Sequence, residues 1–136
     1  MTIIVCISED GGMAFNKRRQ SRDSVLIEDL LSLVGKGTLH ITDFSQKLFD
    51  GSTARIKVSN NPMAEAKESD YVFIENLPIG GYIDSTKKMV VYHWNRSYPA
   101  DLYLDTPPME NGFLLKSSYE FVGSSHEKIT REIWEK

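Results

Sequence analysis

Apolar residues crowd the first strand-length segment without a polar break. Thr2-Ile3-Ile4-Val5-Cys6-Ile7 presents β-branched or apolar side chains to both faces, which suits a central strand covered on both sides. Glu9-Asp10-Gly11-Gly12 then supplies turn chemistry. From Ser24 to Val34 the spacing changes: Leu26, Leu30, Leu33 and Val34 fall at i, i+4, i+7 and i+8, predicting an amphipathic helix. Asp23 or Ser24 can accept hydrogen bonds from its first free N–H groups, Glu28 favours the positive end, and Gly35 can terminate it.

Thr38–Thr42 reads as a second short strand, with a helical turn over Asp43–Phe49. Ala54–Ser59 alternates as a strand, and Pro62 is placed to open a short helix over Met63–Glu68. Asp70–Glu75 and Lys88–Trp94 read as strands on either side of a Pro-Gly-Gly loop, Leu77–Ile83. Gly112–Tyr119 and Lys128–Trp134 form the pattern of a hairpin with a long connection, Glu120–Glu127. Strands alternating with helices early, then strands only, predict one α/β domain over residues 1–136. Its sheet should be mixed and mainly parallel, ending in a C-terminal antiparallel hairpin.

Composition narrows the function classes. Sixteen Lys+Arg against nineteen Asp+Glu give a net charge of −3, so a generically basic nucleic-acid binder is excluded and only local patches can bind anions. The single cysteine, Cys6, excludes a disulfide scaffold, a Cys-rich zinc site and a CxxC redox centre. His40, His93 and His126 are widely spaced and no H-E-x-x-H or H-x-H-x-D motif exists, so no metal is expected. No apolar run approaches the roughly 20 residues of a membrane span, and Thr2–Ile7 lacks the length and basic flank of a secretory signal. A cytoplasmic protein without a membrane partner is the expectation.

The sharpest local feature is Lys17-Arg18-Arg19-Gln20-Ser21-Arg22, four cations in six residues. It precedes a helix whose first amides also favour anions, and arginine suits bidentate contact with phosphate or carboxylate. The segment predicts a site for a phosphorylated small molecule, a nucleotide or RNA. The blander reading is a solvated basic loop. Ser124-Ser125-His126 lies in the hairpin connection; if it packs against Arg18–Asp23, His126 could act as acid or base on a phosphodiester. Ser124 and Ser125 could then bond phosphate oxygens. Otherwise Asp23 is a helix cap and His126 an exposed turn residue. Trp94 and Tyr98 could stack a flat ring or merely close the sheet against a loop, and Cys6 is expected to be buried and inert.

The order of these elements resembles the dihydrofolate reductase family in shortened form. Ile3–Asn16 (IIVCISEDGGMAFN) is similar to that family's opening strand and mobile substrate loop. Asp70–Asn76 (DYVFIEN) resembles the strand leading to its cofactor-binding Gly-Gly, and Lys88–Leu104 resembles its next strand and the segment beyond, with Ala100-Asp101-Leu102-Tyr103 in the last place. Phe113–Ser118 stands where the family opens its C-terminal hairpin. The resemblance implies the family's fold and, on that scaffold, NADPH-dependent pterin reduction. Glu75 and Asn76, however, occupy the places of the Gly-Gly, and Ile41-Thr42-Asp43-Phe44 stands near the family's phosphate clamp. A carboxylate facing a pyrophosphate repels it, so no nicotinamide cofactor is expected. Asp23 lies close to the family's substrate-protonating acid, although a gapless alignment from Asn16 puts Val25 there. A phosphorylated or nucleotide-like anion is therefore the expected ligand. A ribonuclease-like hydrolase using His126, a divergent pterin reductase and a non-enzymatic homodimer are the alternatives.

Overall fold

Strand β1 (Thr2–Ile7) runs through the middle of a seven-stranded sheet in the computed structural model, which describes residues 1–136. A small hairpin follows, β2 (Gly12–Phe15) and β3 (Arg18–Arg19), and then helix α1 (Ser24–Val34). The chain continues through β4 (Thr38–Ile41), β5 (Arg55–Val58), the single helical turn α2 (Pro62–Glu65) and β6 (Tyr71–Phe73). The last elements are β7 (Lys88–His93), β8 (Leu102–Tyr103), β9 (Leu114–Phe121) and β10 (Ile129–Glu135). Short 3₁₀ turns occupy Asp43–Phe49, Gly80–Ser85 and Pro108–Asn111.

The sheet order is β5-β4-β6-β1-β7-β10-β9. The strands from β5 to β7 run parallel, while β10 pairs antiparallel with β7, and β9 with β10. This is the mixed, mainly parallel sheet with a C-terminal antiparallel hairpin that the hydrophobic pattern predicts. The period-two alternation sorts β1 and its neighbours onto two cores. Ile4, Phe73, Val90 and Tyr92 meet Leu26, Leu30 and Val34 of α1 on one face. Ile3, Val5, Val72, Met89 and Val91 pack on the other with Met63, Phe113 and Trp134. Burying both faces of β1 is why its sequence carries no polar position between Ile3 and Val5.

Some local expectations change. The helix expected over Met63–Glu68 is one turn, because Ala66 already adopts extended backbone. The helical turn expected over Asp43–Phe49 is present, as a 3₁₀ turn. The Pro-Gly-Gly segment between β6 and β7 is a loop as expected, with a 3₁₀ turn at Gly80–Ser85. A second, three-stranded sheet, β3-β2-β8, was not predicted by the pattern. Its hairpin joins Phe15 to Arg18 through Asn16 and Lys17, both at positive φ (52° and 61°), the backbone of a type I′ turn. No helix is long and apolar enough to cross a membrane.

Candidate functional site

Asp23 caps α1, but it does far more than a cap requires. Its Oδ1 accepts the Val25, Leu26 and Ser124 amides at 3.0, 3.2 and 3.0 Å. Its Oδ2 accepts the Ser125 amide at 2.8 Å and lies 3.2 Å from both the Ser125 hydroxyl oxygen and His126 Nδ1. The side chain is wholly buried. Burial pushes the carboxyl up, but the amides of Ser125, Ser124 and Leu26, with the His126 ring, outweigh it and hold the group well below the usual carboxylate range. The helix N-terminus that the sequence offers to an external anion is filled by the protein's own carboxylate. Gly123 makes that possible, since a Cβ there would collide with Asp23 and Ile129.

His126 does meet the Arg18–Asp23 segment, a contact the sequence left open, and it does so in a closed form. The ring is buried, stacked on Trp94 at 4.7 Å and met edge-on by Tyr98. Nδ1 faces Asp23 and the Ser125 hydroxyl (2.9 Å); Nε2 faces the Tyr98 hydroxyl (2.9 Å) and the Ser21 hydroxyl (3.3 Å). Trp94 and Tyr98 thus close the sheet end on a protein ring, the plainer of their two readings. Ser124 Oγ accepts the Ser24 amide at 2.9 Å, and Ser125 Oγ donates to the Arg22 carbonyl at 2.8 Å. Ser21, Asp23, Ser124, Ser125 and His126 therefore form one latch between the C-terminal hairpin and α1.

The basic cluster divides. Arg19 turns inward and binds Glu75 through Nε and Nη2, both at 3.0 Å, while Nη2 also donates to the Phe44 carbonyl at 2.9 Å. Its guanidinium sits 4.8 Å from the centre of the Phe44 ring, and the Ser45 hydroxyl donates to Glu75 at 2.7 Å. Gln20 donates to the Ser8 hydroxyl and the Pro99 carbonyl. Arg18 and Arg22 are exposed. Lys17 lines a cavity of about 280 Å³ with Ala14, Phe44, Asn76, Asp101 and Leu102. Of the predicted ligand residues, Lys17 alone lines this space. Phe44, Asn76, Asp101 and Leu102 escape sequence reasoning, because their convergence depends on the small sheet. The one available signal is that Asn76 follows shortly after a buried strand, β6.

A second internal anion site lies after β6. The Ile79 and Gly80 amides donate to the two oxygens of Asp105 at 2.9 and 2.8 Å, and a Cβ at Gly80 would lie 2.8 Å from Oδ2. Ile79 and Gly80, not the glycine doublet, thus form a carboxylate cradle. Cys6 is half-buried rather than fully buried; burial first, then Glu75, pushes its thiol well above the usual range. Iodoacetamide at pH 8 should therefore label native Cys6 far more slowly than the urea-unfolded chain, as peptide mass spectrometry would read.

These features define an open α/β domain whose free crevice lies beyond the carboxyl ends of β4 and β6, where ligands of such sheets bind. A solved structure of dihydrofolate reductase from Enterococcus faecalis, complexed with NADP(H) and RAB-propyl, matches 98% of this chain and 94% of its own with a TM-score of 0.68, at 7% sequence identity. The chain has a dihydrofolate reductase-like fold. Comparison with protein-family models and with curated proteins gives no match.

Proposed function

We propose that this chain is a cytoplasmic small-molecule-binding module that takes a phosphorylated or nucleotide-like anion in the crevice bounded by Lys17, Phe44 and Asn76, and that it does not work as a nicotinamide-dependent reductase. The observation that carries the reading is Lys17. It sits at φ 61° in the second place of a type I′ turn, where glycine is the favoured residue. A lysine there is strained, and strain kept at a cavity wall points to a use for the side chain. Phe44 and Leu102 supply apolar walls for a flat group, and the one carboxylate on the wall, Asp101, already accepts the Asn16 amide at 3.0 Å. The Asn76 carbonyl oxygen accepts the Thr42 hydroxyl at 3.4 Å, leaving its NH₂ as a donor toward an anion.

A nicotinamide dinucleotide fits these residues poorly. Glu75 and Asn76 stand in place of a glycine turn, and no helix N-terminus follows to receive a pyrophosphate. The amides at Ile79 and Gly80 already hold Asp105. Hydrolysis through His126 is also poorly supported: both ring nitrogens are engaged, and the nearby amides that could stabilise an oxyanion are spent on Asp23.

Thermal denaturation with nucleoside monophosphates, inorganic phosphate, a short single-stranded RNA, NADPH and NADH tests the reading. A monophosphate at 100 times its dissociation constant should stabilise the fold by about 2.7 kcal/mol. Lys17→Gly should weaken that binding at least tenfold while leaving stability unchanged or raised by about 1 kcal/mol. Stabilisation by NADPH but by no monophosphate, or undiminished binding by Lys17→Gly, would sink the proposal. One feature favours a second reading as a homodimer: the outer edge of β9 has no partner strand, and Leu114, Leu115 and Tyr119 are exposed there. Sedimentation at micromolar concentration separates the two, since the first reading needs only a monomer.

A further inference from the structure

We propose that the sheet face opposite α1 carries a separate ligand site, a cleft for a flat aromatic amine bound as its cation against Glu132. The cleft has a volume of about 290 Å³, room for a fused two-ring body. Ile7, Val91, Leu104 and Pro108 form its walls, with Trp134 and Tyr103 as aromatic surfaces. It belongs to the Ile3, Val5 and Val91 core rather than to the face that α1 covers. Two large side chains at the rim lack cover: Tyr103 is 48% exposed and Met109 75%. Methionine at such a rim adapts to varied apolar shapes.

The polar groups choose the charge of the guest. Asp10, His93 and Glu132 line the cleft, and no lysine or arginine does. Glu132 lies opposite Val91 across the β7–β10 pair, so its carboxylate enters the same face as His93, one step along the ladder. Its Oε1 faces His93 Nε2 at 2.6 Å and accepts the Trp134 indole N–H at 3.2 Å. Both bonds fall on one oxygen, which leaves Oε2 free to accept from a guest. A carboxylate with an open oxygen in an apolar cleft, beside two aromatic faces, attracts a cation with an apolar body. A bare metal ion would gain nothing from the apolar walls, and an anion would meet Asp10 and Glu132.

Calorimetry on the whole chain at pH 7 tests this with three probes sharing one ring: tryptamine, its neutral alcohol analogue tryptophol, and anionic indole-3-acetate. Tryptamine should bind at least tenfold more tightly than tryptophol, and indole-3-acetate should show no binding. Glu132→Gln should erase the preference for the amine without weakening tryptophol. Tyr103→Ala, at an exposed position that leaves the core intact, should weaken both. Lys17→Gly should leave tryptamine binding unchanged, which separates this site from the anion crevice. Equal affinity for the three probes, no binding of any, or an amine preference that survives Glu132→Gln would each overturn the proposal.

Discussion

Asp23→Ala is expected to lower the free energy of unfolding by about 3–5 kcal/mol, a large share of the roughly 5–15 kcal/mol that holds a domain together. The change removes a helix cap and strands the Ser124 and Ser125 amides, together with the inward nitrogen of His126. Asp23→Asn should cost less, about 2–3 kcal/mol, because its carbonyl can still cap α1 while its NH₂ meets donors. Urea titration would show a lower midpoint at unchanged slope. The same carboxylate sets the acid limit. Its folded pKa is depressed, so the stability it contributes is fully present above about pH 4 and declines as pH falls toward the folded value. Asp23→Asn should flatten that part of the acid-unfolding profile; an unchanged profile would mean that another group sets the limit.

Arg19→Met should cost about 2–3 kcal/mol by leaving the buried Glu75 carboxylate with only the Ser45 hydroxyl. The Arg19→Met, Glu75→Gln double variant should recover most of the loss, because it removes the stranded charge rather than a packing contact. A coupling free energy near zero in that cycle would show that the two side chains are held independently. The expected outcome is a coupling of about 1–3 kcal/mol. This pair also revises what Glu75 does. Its charge does not face the crevice bare, as the sequence alone suggests, but is neutralised by an arginine 56 positions away.

The regular framework was legible because its signals are periodic. β1 announces a doubly covered strand, α1 carries its apolar stripe, and Pro62 opens its turn as expected. The small sheet was not, since strands as short as Arg18–Arg19 and Leu102–Tyr103 have no period to detect. That omission propagated to the site. Arg18 and Arg19 look equivalent in a run of cations, yet consecutive residues of a strand point to opposite sides, one into solvent and one to Glu75. A meeting of His126 with Asp23 could be posed from the sequence only as a condition, and the saturation of the pair could not be posed at all. Which oxygens and ring nitrogens remain free depends on contacts spanning 103 residues, and no local pattern encodes them.

The stretch joining β1 to α1 is riveted along its whole length: Asn16 to Asp101, Arg19 to Glu75, Gln20 to Ser8, and Asp23 to the turn before β10. Slow swinging of that stretch, the kind of gating that sets turnover in many enzymes, would have to break charged bonds at several places at once. The width of the crevice is thus set by contacts that join distant parts of the chain, Asn16 to Asp101 foremost.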